Sequence, residues 1–223
     1  MTMEMFILDE TSTGEVDRRE KVVAALTDSV RDLVDATIRS TVDDDEILAV
    51  REEVDALVSR LRAAQLAGPA GVRYNAEGRS WNWGNAVVGQ HNALAPPLEI
   101  VHDGPGSARA DVVLGAAYEG PPGMVHGGVA ALLLDQIMGE TASGFKRLTM
   151  TGTLSLRYRR GTPLGPVRIE GRIASESGRK ITVQAHLAGP DGEPTVEATG
   201  LFIIPSWAPV DESDRTWARF AEG

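Results

Sequence analysis

Apolar side chains recur at helical spacing from Glu15 to Ser40, where Val22, Val23, Leu26, Val30, Leu33, Val34 and Ile38 would share a stripe. A second stripe, Ile47, Val50, Val54, Leu57, Val58 and Leu61, follows Asp43-Asp44-Asp45-Glu46, which supplies an N-cap and an acidic first turn. Gly68-Pro69 ends that segment. The two stripes predict a helical hairpin that must lay its apolar faces on the rest of the chain or on a partner. Residues 1–14 show no such period and read as frayed, and 70–97 reads as loop, with Trp81 and Trp83 closing a pocket or packing the hairpin down.

Beyond Pro97 the period changes. Leu98 to Val101 and Ala110 to Tyr118 read as two strands around a turn at Asp103-Gly104-Pro105-Gly106. The tight loop Glu119-Gly120-Pro121-Pro122-Gly123 leads into Met124-Val125-His126-Gly127-Gly128 and then a helix to Thr141, apolar nearly all round and therefore expected to be buried. Met150 to Arg160 alternates, with Leu154, Leu156 and Tyr158 on one face and Thr151, Thr153, Ser155, Arg157 and Arg159 on the other. Three more strands follow, around Val167–Ile173, Ile181–Leu187 and Val196–Ile204, and short links make the last four antiparallel. One buried helix on an antiparallel sheet is an α+β architecture.

The 223 residues suffice for one domain with an extension, and 42% apolar residues suffice for its core. The absence of cysteine removes disulfides, thiolate metal sites and a Cys nucleophile together, and suits a cytoplasmic location. No signal peptide and no membrane span are read from the chain. The net charge of −10 argues against nucleic acid as a partner. It is uneven: residues 1–70 hold 16 acidic and 8 basic residues, whereas 146–180 holds nine basic residues against Glu170 and Glu176. That basic stretch suggests a small anionic ligand; the competing reading is a set of solvated strand faces.

No Gly-x-Ser-x-Gly elbow, P-loop, Gly-x-Gly-x-x-Gly or His-Glu-x-x-His is present, and the four histidines lack metal-ligand spacing. Neither a metal, a cofactor nor a Ser-His-Asp triad is expected. What remains is His126 to Asp135. Two glycines opening a helix leave its first amides approachable, and those N–H groups can hold a developing oxyanion. Asp135, on an otherwise apolar helix, is costly unless paired or working, and could act as a general base or a nucleophile. The plainer readings are that Gly127-Gly128 permits close helix-to-sheet packing, that Asp135 is a satisfied structural carboxylate and that His126 is an ordinary cap.

Spacing adds a constraint. Gly127 and Asp135 are eight residues apart, about 12 Å along a helix. A reacting carbonyl needs its partners within about 3 Å. A two-fold dimer would supply Gly127 from one chain and Asp135 from the other.

The segment Tyr118-Glu119-Gly120-Pro121-Pro122-Gly123-Met124-Val125-His126-Gly127-Gly128, with Asp135, resembles the phenylacetate-thioesterase-like branch of the hotdog-fold acyl-CoA thioesterases. The resemblance continues through Thr151–Arg160 and Gly178-Arg179-Lys180 to Ile204, about half the chain. It implies a sheet wrapped around a central helix over 71–207; a helical extension over 1–70 and a tail over 208–223 flank that domain. It implies that the Gly127 amide meets the thioester oxygen, that His126 fixes that region, that Asp135 is base or nucleophile, and that Thr151 positions the water or the carboxylate. Gly128, Arg159, Arg160, Arg179 and Lys180 become candidates for binding the acyl-CoA substrate. Some relatives carry Asn or Gln six residues before the histidine, where this chain has Gly120, and the helical extension lies outside the family core. The expected activity is hydrolysis of acyl-CoA thioesters by a homodimer or tetramer. The alternatives are a non-catalytic acyl-CoA sensor, to which Asp135 would be useless, and a hotdog hydratase, which the separation of His126 from Asp135 disfavours.

Overall fold

The computed structural model describes residues 6–96, 98–144 and 147–208. The chain runs β1 (Phe6–Leu8), α1 (Thr13–Arg39), α2 (Asp44–Arg62), β2 (Val72–Tyr74), β3 (Ser80–Trp81), β4 (Glu99–Gly104), β5 (Ser107–Leu114), a 3-10 turn at Ala116–Tyr118, α3 (Gly127–Ser143), β6 (Met150–Tyr158), β7 (Gly165–Ser177), β8 (Lys180–Ala188) and β9 (Pro194–Ile203).

Six strands form one antiparallel sheet in the order β4-β5-β7-β8-β9-β6, and α3 packs across it, chiefly over β7 and β8. This is the hotdog arrangement. Alternation builds it: β8 sends Ile181, Val183, Ala185 and Leu187 inward, and β9 sends Val196, Ala198 and Phe202 to the same core. From α3, Leu133, Leu134, Ile137 and Met138 enter it fully buried. The closest approach of helix to sheet is at Gly171 on β7, where an added Cβ would lie 2.6 Å from Thr141 Oγ1.

The expectations need four corrections here. The strand anticipated at 110–118 runs from Ser107 to Leu114, because the tight turn falls at Pro105-Gly106 and the chain after Leu114 coils into the 3-10 turn. The last four strands are neighbours and antiparallel, as expected, but β6 and β7 do not form a hairpin: β6 lies beside β9, at the edge of the sheet, and β7 sits between β5 and β8. Residues 6–8, expected to be frayed, form a parallel pair with β2, and β3 completes that small sheet. And α3 is buried on one side only; Gly128 and Leu132 are exposed, and Asp135, Gln136 and Glu140 are half-buried.

The N-terminal helices form where expected but bury little. In α1 only Val16 and Thr27 are buried, and in α2 no residue is. The grip on α1 is polar: Arg31 donates to the carbonyls of Ala95 and Asn92, and Arg79 pairs with Asp17 and Glu20. Trp83 donates to Glu20 and stacks on His91 at 4.1 Å, so this tryptophan holds α1 down. Burial there depresses the His91 pKa. Val22, Leu26 and Ile38 of α1 and Ile47, Leu57 and Leu61 of α2 remain exposed.

Candidate functional site

The loop before α3 is rigid for identifiable reasons. The Met124 amide donates to the Pro121 carbonyl, the Gly120 amide to that of Met124, and the Gly123 amide to a Glu119 carboxylate oxygen at 2.6 Å. Gly123 adopts φ +72°, which few side chains tolerate. The His126 amide donates to the Tyr118 carbonyl, and His126 becomes the N-cap of α3. Gly120 packs against it: a Cβ there would lie 2.8 Å from His126 Cα. The position where some relatives carry Asn or Gln has no room for a side chain in this loop.

The first four amides of a helix lack partners within it. Here the Gly128 amide donates to His126 Nδ1 at 3.0 Å, and those of Val129 and Ala130 donate to the His126 carbonyl. Of these four amides, only that of Gly127 has no acceptor among the described residues. The glycines do not serve helix-to-sheet packing in the way one reading allowed. A Cβ at Gly128 would meet only its neighbour's imidazole, at 3.1 Å, and one at Gly127 would touch the Tyr158 ring at ordinary distance, 3.4 Å. Their smallness leaves the start of α3 open to approach from outside.

Asp135 lies two turns further on, half-buried, and Thr151 Oγ1 donates to its Oδ1 at 2.9 Å. Strict alternation would place Thr151 with Thr153 and Ser155, on the face turned away from α3. A β-bulge at Gly152 prevents this. Thr151 pairs with Phe202 and Thr153 with Leu201, so Gly152 is an extra residue. Residues paired across antiparallel strands share a face. Thr151 therefore shares the inward face of Phe202, and Leu154, Leu156 and Tyr158 share that of Gly200, Ala198 and Val196. A Cβ at Gly152 would lie 3.1 Å from an Ile203 side-chain atom and 3.2 Å from the Leu201 carbonyl, which favours glycine at the bulge. The face assigned to Thr151 from alternation alone is thus corrected, and its contact with Asp135 explained. Tyr158, read from sequence only as a strand residue, donates its hydroxyl to the Gly127 carbonyl at 2.8 Å.

The basic stretch looks different in three dimensions. Arg159 is held by Glu197, Arg160 by Asp191, Arg168 by Asp111 and Arg147 by Glu176. Asp111 and Asp191 are correspondingly depressed in pKa by the arginine hydrogen bonds. Arg179 donates to the carbonyls of Pro205 and Ala208. Of the four candidate substrate-binding cations, Arg159 and Arg160 are ion-paired, Arg179 is taken up by main-chain carbonyls, and only the Lys180 side chain meets neither among the described residues. A groove of about 730 Å³ opens on the outer face of the sheet, lined by Arg157, Glu170, Arg172, His186 and Glu197. It includes none of His126, Gly127, Asp135 or Thr151. Within one chain His126 and Thr151 are exposed, and Gly127 and Asp135 are half-buried.

Comparison with known proteins follows this geometry. Residues 122–194, which contain the end of the loop, α3 and β6 to β8, match the thioesterase superfamily model. An acyl-coenzyme A thioesterase, THEM4, from Xenopus laevis is 35% identical over 91 residues, covering 40% of this chain and 41% of that protein. The Bos taurus protein of the same name is 35% identical over 92 residues, covering 40% of this chain and 37% of that one. The chain thus spans about two fifths of these curated relatives. A solved thioesterase superfamily protein is 34% identical, with a TM-score of 0.72, covering 88% of this chain and 93% of that structure. On the fold, the site-bearing segment and a match along nearly its whole length, the chain belongs to the thioesterase superfamily.

Proposed function

We propose that the protein hydrolyses acyl-CoA thioesters to free acid and CoA, within the phenylacetate-thioesterase-like branch. The observation that carries this reading is the pairing on α3 of one amide without an acceptor, Gly127, with a carboxylate oriented by Thr151, Asp135. The activity named for the THEM4 relatives agrees with it. Asp135 takes a proton from water as that water attacks the thioester carbonyl, and the C–S bond then breaks, the proton going to the departing CoA thiolate; or Asp135 attacks the carbonyl itself, CoA leaves, and water cleaves the resulting anhydride to free acid and Asp135. The Gly127 amide, at the positive end of the helix, stabilises the oxyanion. His126 fixes the first turn by capping Gly128.

Both groups lie on one continuous helix, about 12 Å apart by its rise. Each site therefore takes Gly127 from one chain and Asp135 from its two-fold mate, and the open, half-exposed face of α3 is where the mate docks.

Hydrolysis of a panel of acyl-CoAs by the wild type and Asp135→Ala tests the chemistry. The substitution is expected to lower kcat by about 10³, within the range for loss of a general base. Undiminished activity in the variant removes the mechanism. Tight acyl-CoA binding without hydrolysis by the wild type turns the reading into that of a sensor. Gly127→Pro tests the other half, because proline is well accepted at the first helical position and removes the amide hydrogen, its Cβ falling at ordinary contact distance, 3.4 Å, from the Tyr158 ring. His126, at φ −61° and ψ 134°, already has the extended backbone that precedes proline. Mixing Asp135→Asn with Gly127→Pro subunits is expected to restore activity in heterodimers; heterodimers that form and remain inactive refute the shared site.

A further inference from the structure

We infer that Tyr158 is the positioning residue for the Gly127 amide, an inference that rests on the thioesterase reading of the same site. Gly127 sits at the first position of α3, where helix ends fray, and it has no side chain to restrict its backbone. Its N–H lies in the peptide unit joining His126 to Gly127, which the Val129 and Ala130 amides hold from the carbonyl side, so the remaining freedom lies at Gly127 Cα and the next peptide unit. The structure supplies a restraint from outside the helix.

The peptide unit joining Gly127 to Gly128 is pinned at both ends. Its carbonyl oxygen accepts the Tyr158 hydroxyl at 2.8 Å, and its N–H donates to His126 Nδ1 at 3.0 Å. Fixing that plane restrains Gly127 Cα, and through it the preceding peptide unit that carries the Gly127 N–H. The ring adds a second constraint, because its Cε1 and Cζ atoms lie 3.4 and 3.6 Å from where a Gly127 Cβ would be. Tyr158 can reach because it ends β6 on the face turned to α3, paired with the buried Val196. It is itself 54% exposed, so core packing does not account for the phenol at this place. An oxyanion donor acts through direction as well as distance, and a donor that wanders must be reoriented at the moment of reaction.

Tyr158→Phe keeps the ring and removes the hydroxyl. The expected result is a kcat lower by about tenfold, a KM within about twofold of wild type and an unchanged pH profile, smaller than the loss of an oxyanion donor itself. In the Gly127→Pro background the same change is expected to have no further effect, because the group it positions is already gone. An unchanged kcat in Tyr158→Phe, or equal losses in both backgrounds, overturns the inference, as does a rise in KM at constant kcat, which would make the phenol a substrate contact. The ¹⁵N and ¹H shifts of the Gly128 amide report the pinned peptide without substrate and should move in Tyr158→Phe; unmoved signals also overturn it. A wild type that hydrolyses no acyl-CoA refutes the thioesterase reading by itself, while the Gly128 signals still decide whether Tyr158 holds the peptide.

Discussion

Helices α2 and α3 have 19 and 17 residues, and their first-turn residues and terminal charges favour the first. Asp43 caps α2 by accepting from the Glu46 amide at 3.0 Å, three acids fill its first turn, and Arg60 and Arg62 stand in its last. By contrast, α3 opens on two glycines, each about 1 kcal/mol poorer than alanine in a helix, and has neither acids in its first turn nor bases in its last. Yet α2 buries no residue, whereas α3 buries seven. The first helix is specified by its own sequence and the second by the sheet it lies on. The chemistry we propose falls on the second for a related reason: a helix held by its core can dispense with favourable end residues, and the proposed oxyanion donor is the amide left over at that start, Gly127.

That contrast can be broken at several points. Leu133, fully buried on α3, should cost about 2–5 kcal/mol when cut to alanine, read by chemical denaturation; a much smaller loss would mean that α3 is held by something other than its core face. Deleting Gly152 should restore simple alternation in β6, turn Thr151 away from Asp135 and lower acyl-CoA hydrolysis by roughly 100-fold, as removal of one positioned catalytic group does. Full activity in the deletion would show that the bulge does not set the site. Asp43→Ala should weaken α2 by about 1 kcal/mol, visible as faster amide exchange in its first turn with global unfolding and activity unchanged. Leu57→Ala on the exposed stripe of α2 should change stability by less than about 0.5 kcal/mol; a larger loss that depends on protein concentration would mean that another chain covers this helix.

The fold was readable wherever a period ran long enough. The stripes located α1 and α2, the alternation in 181–187 and 196–204 located β8 and β9, and the apolar run after His126-Gly127-Gly128 located α3. Three things lay beyond that kind of reading. The strand β1 is three residues long, and its partner lies across both helices, so no local pattern marks it. Whether a helical stripe is covered depends on what is nearby, which is why two well-patterned helices did not make a packed hairpin. The third is the bulge. A glycine between two threonines in an alternating strand is a recognised sign of one, and at Gly152 it was the available cue that Thr151 faces the helix. For the site itself, His126, Gly127, Asp135 and Thr151 were all named from sequence, and the structure brings Thr151 to Asp135 and His126 to Gly128. Tyr158 escaped because its hydroxyl bonds a main-chain oxygen 31 residues away, and such a target leaves no mark on the residue type it meets.

The short pair between β1 and β2 makes the helical extension a closed excursion rather than a tail. Phe6–Leu8 lies along Val72–Tyr74, Asp9 pairs with Arg73 at 2.7 Å, and Asn75 donates to the Thr11 carbonyl. Hydrogen bonds from Thr11, with Arg73 beside it, hold the Asp9 carboxyl at about 2, so the clasp keeps its charge well into acid. Chain severed anywhere along α2 would therefore stay in place. The nicked protein would run as one species under native conditions and as two pieces once denatured, and the severed amino-terminal piece would remain docked through the same few residues that begin the fold.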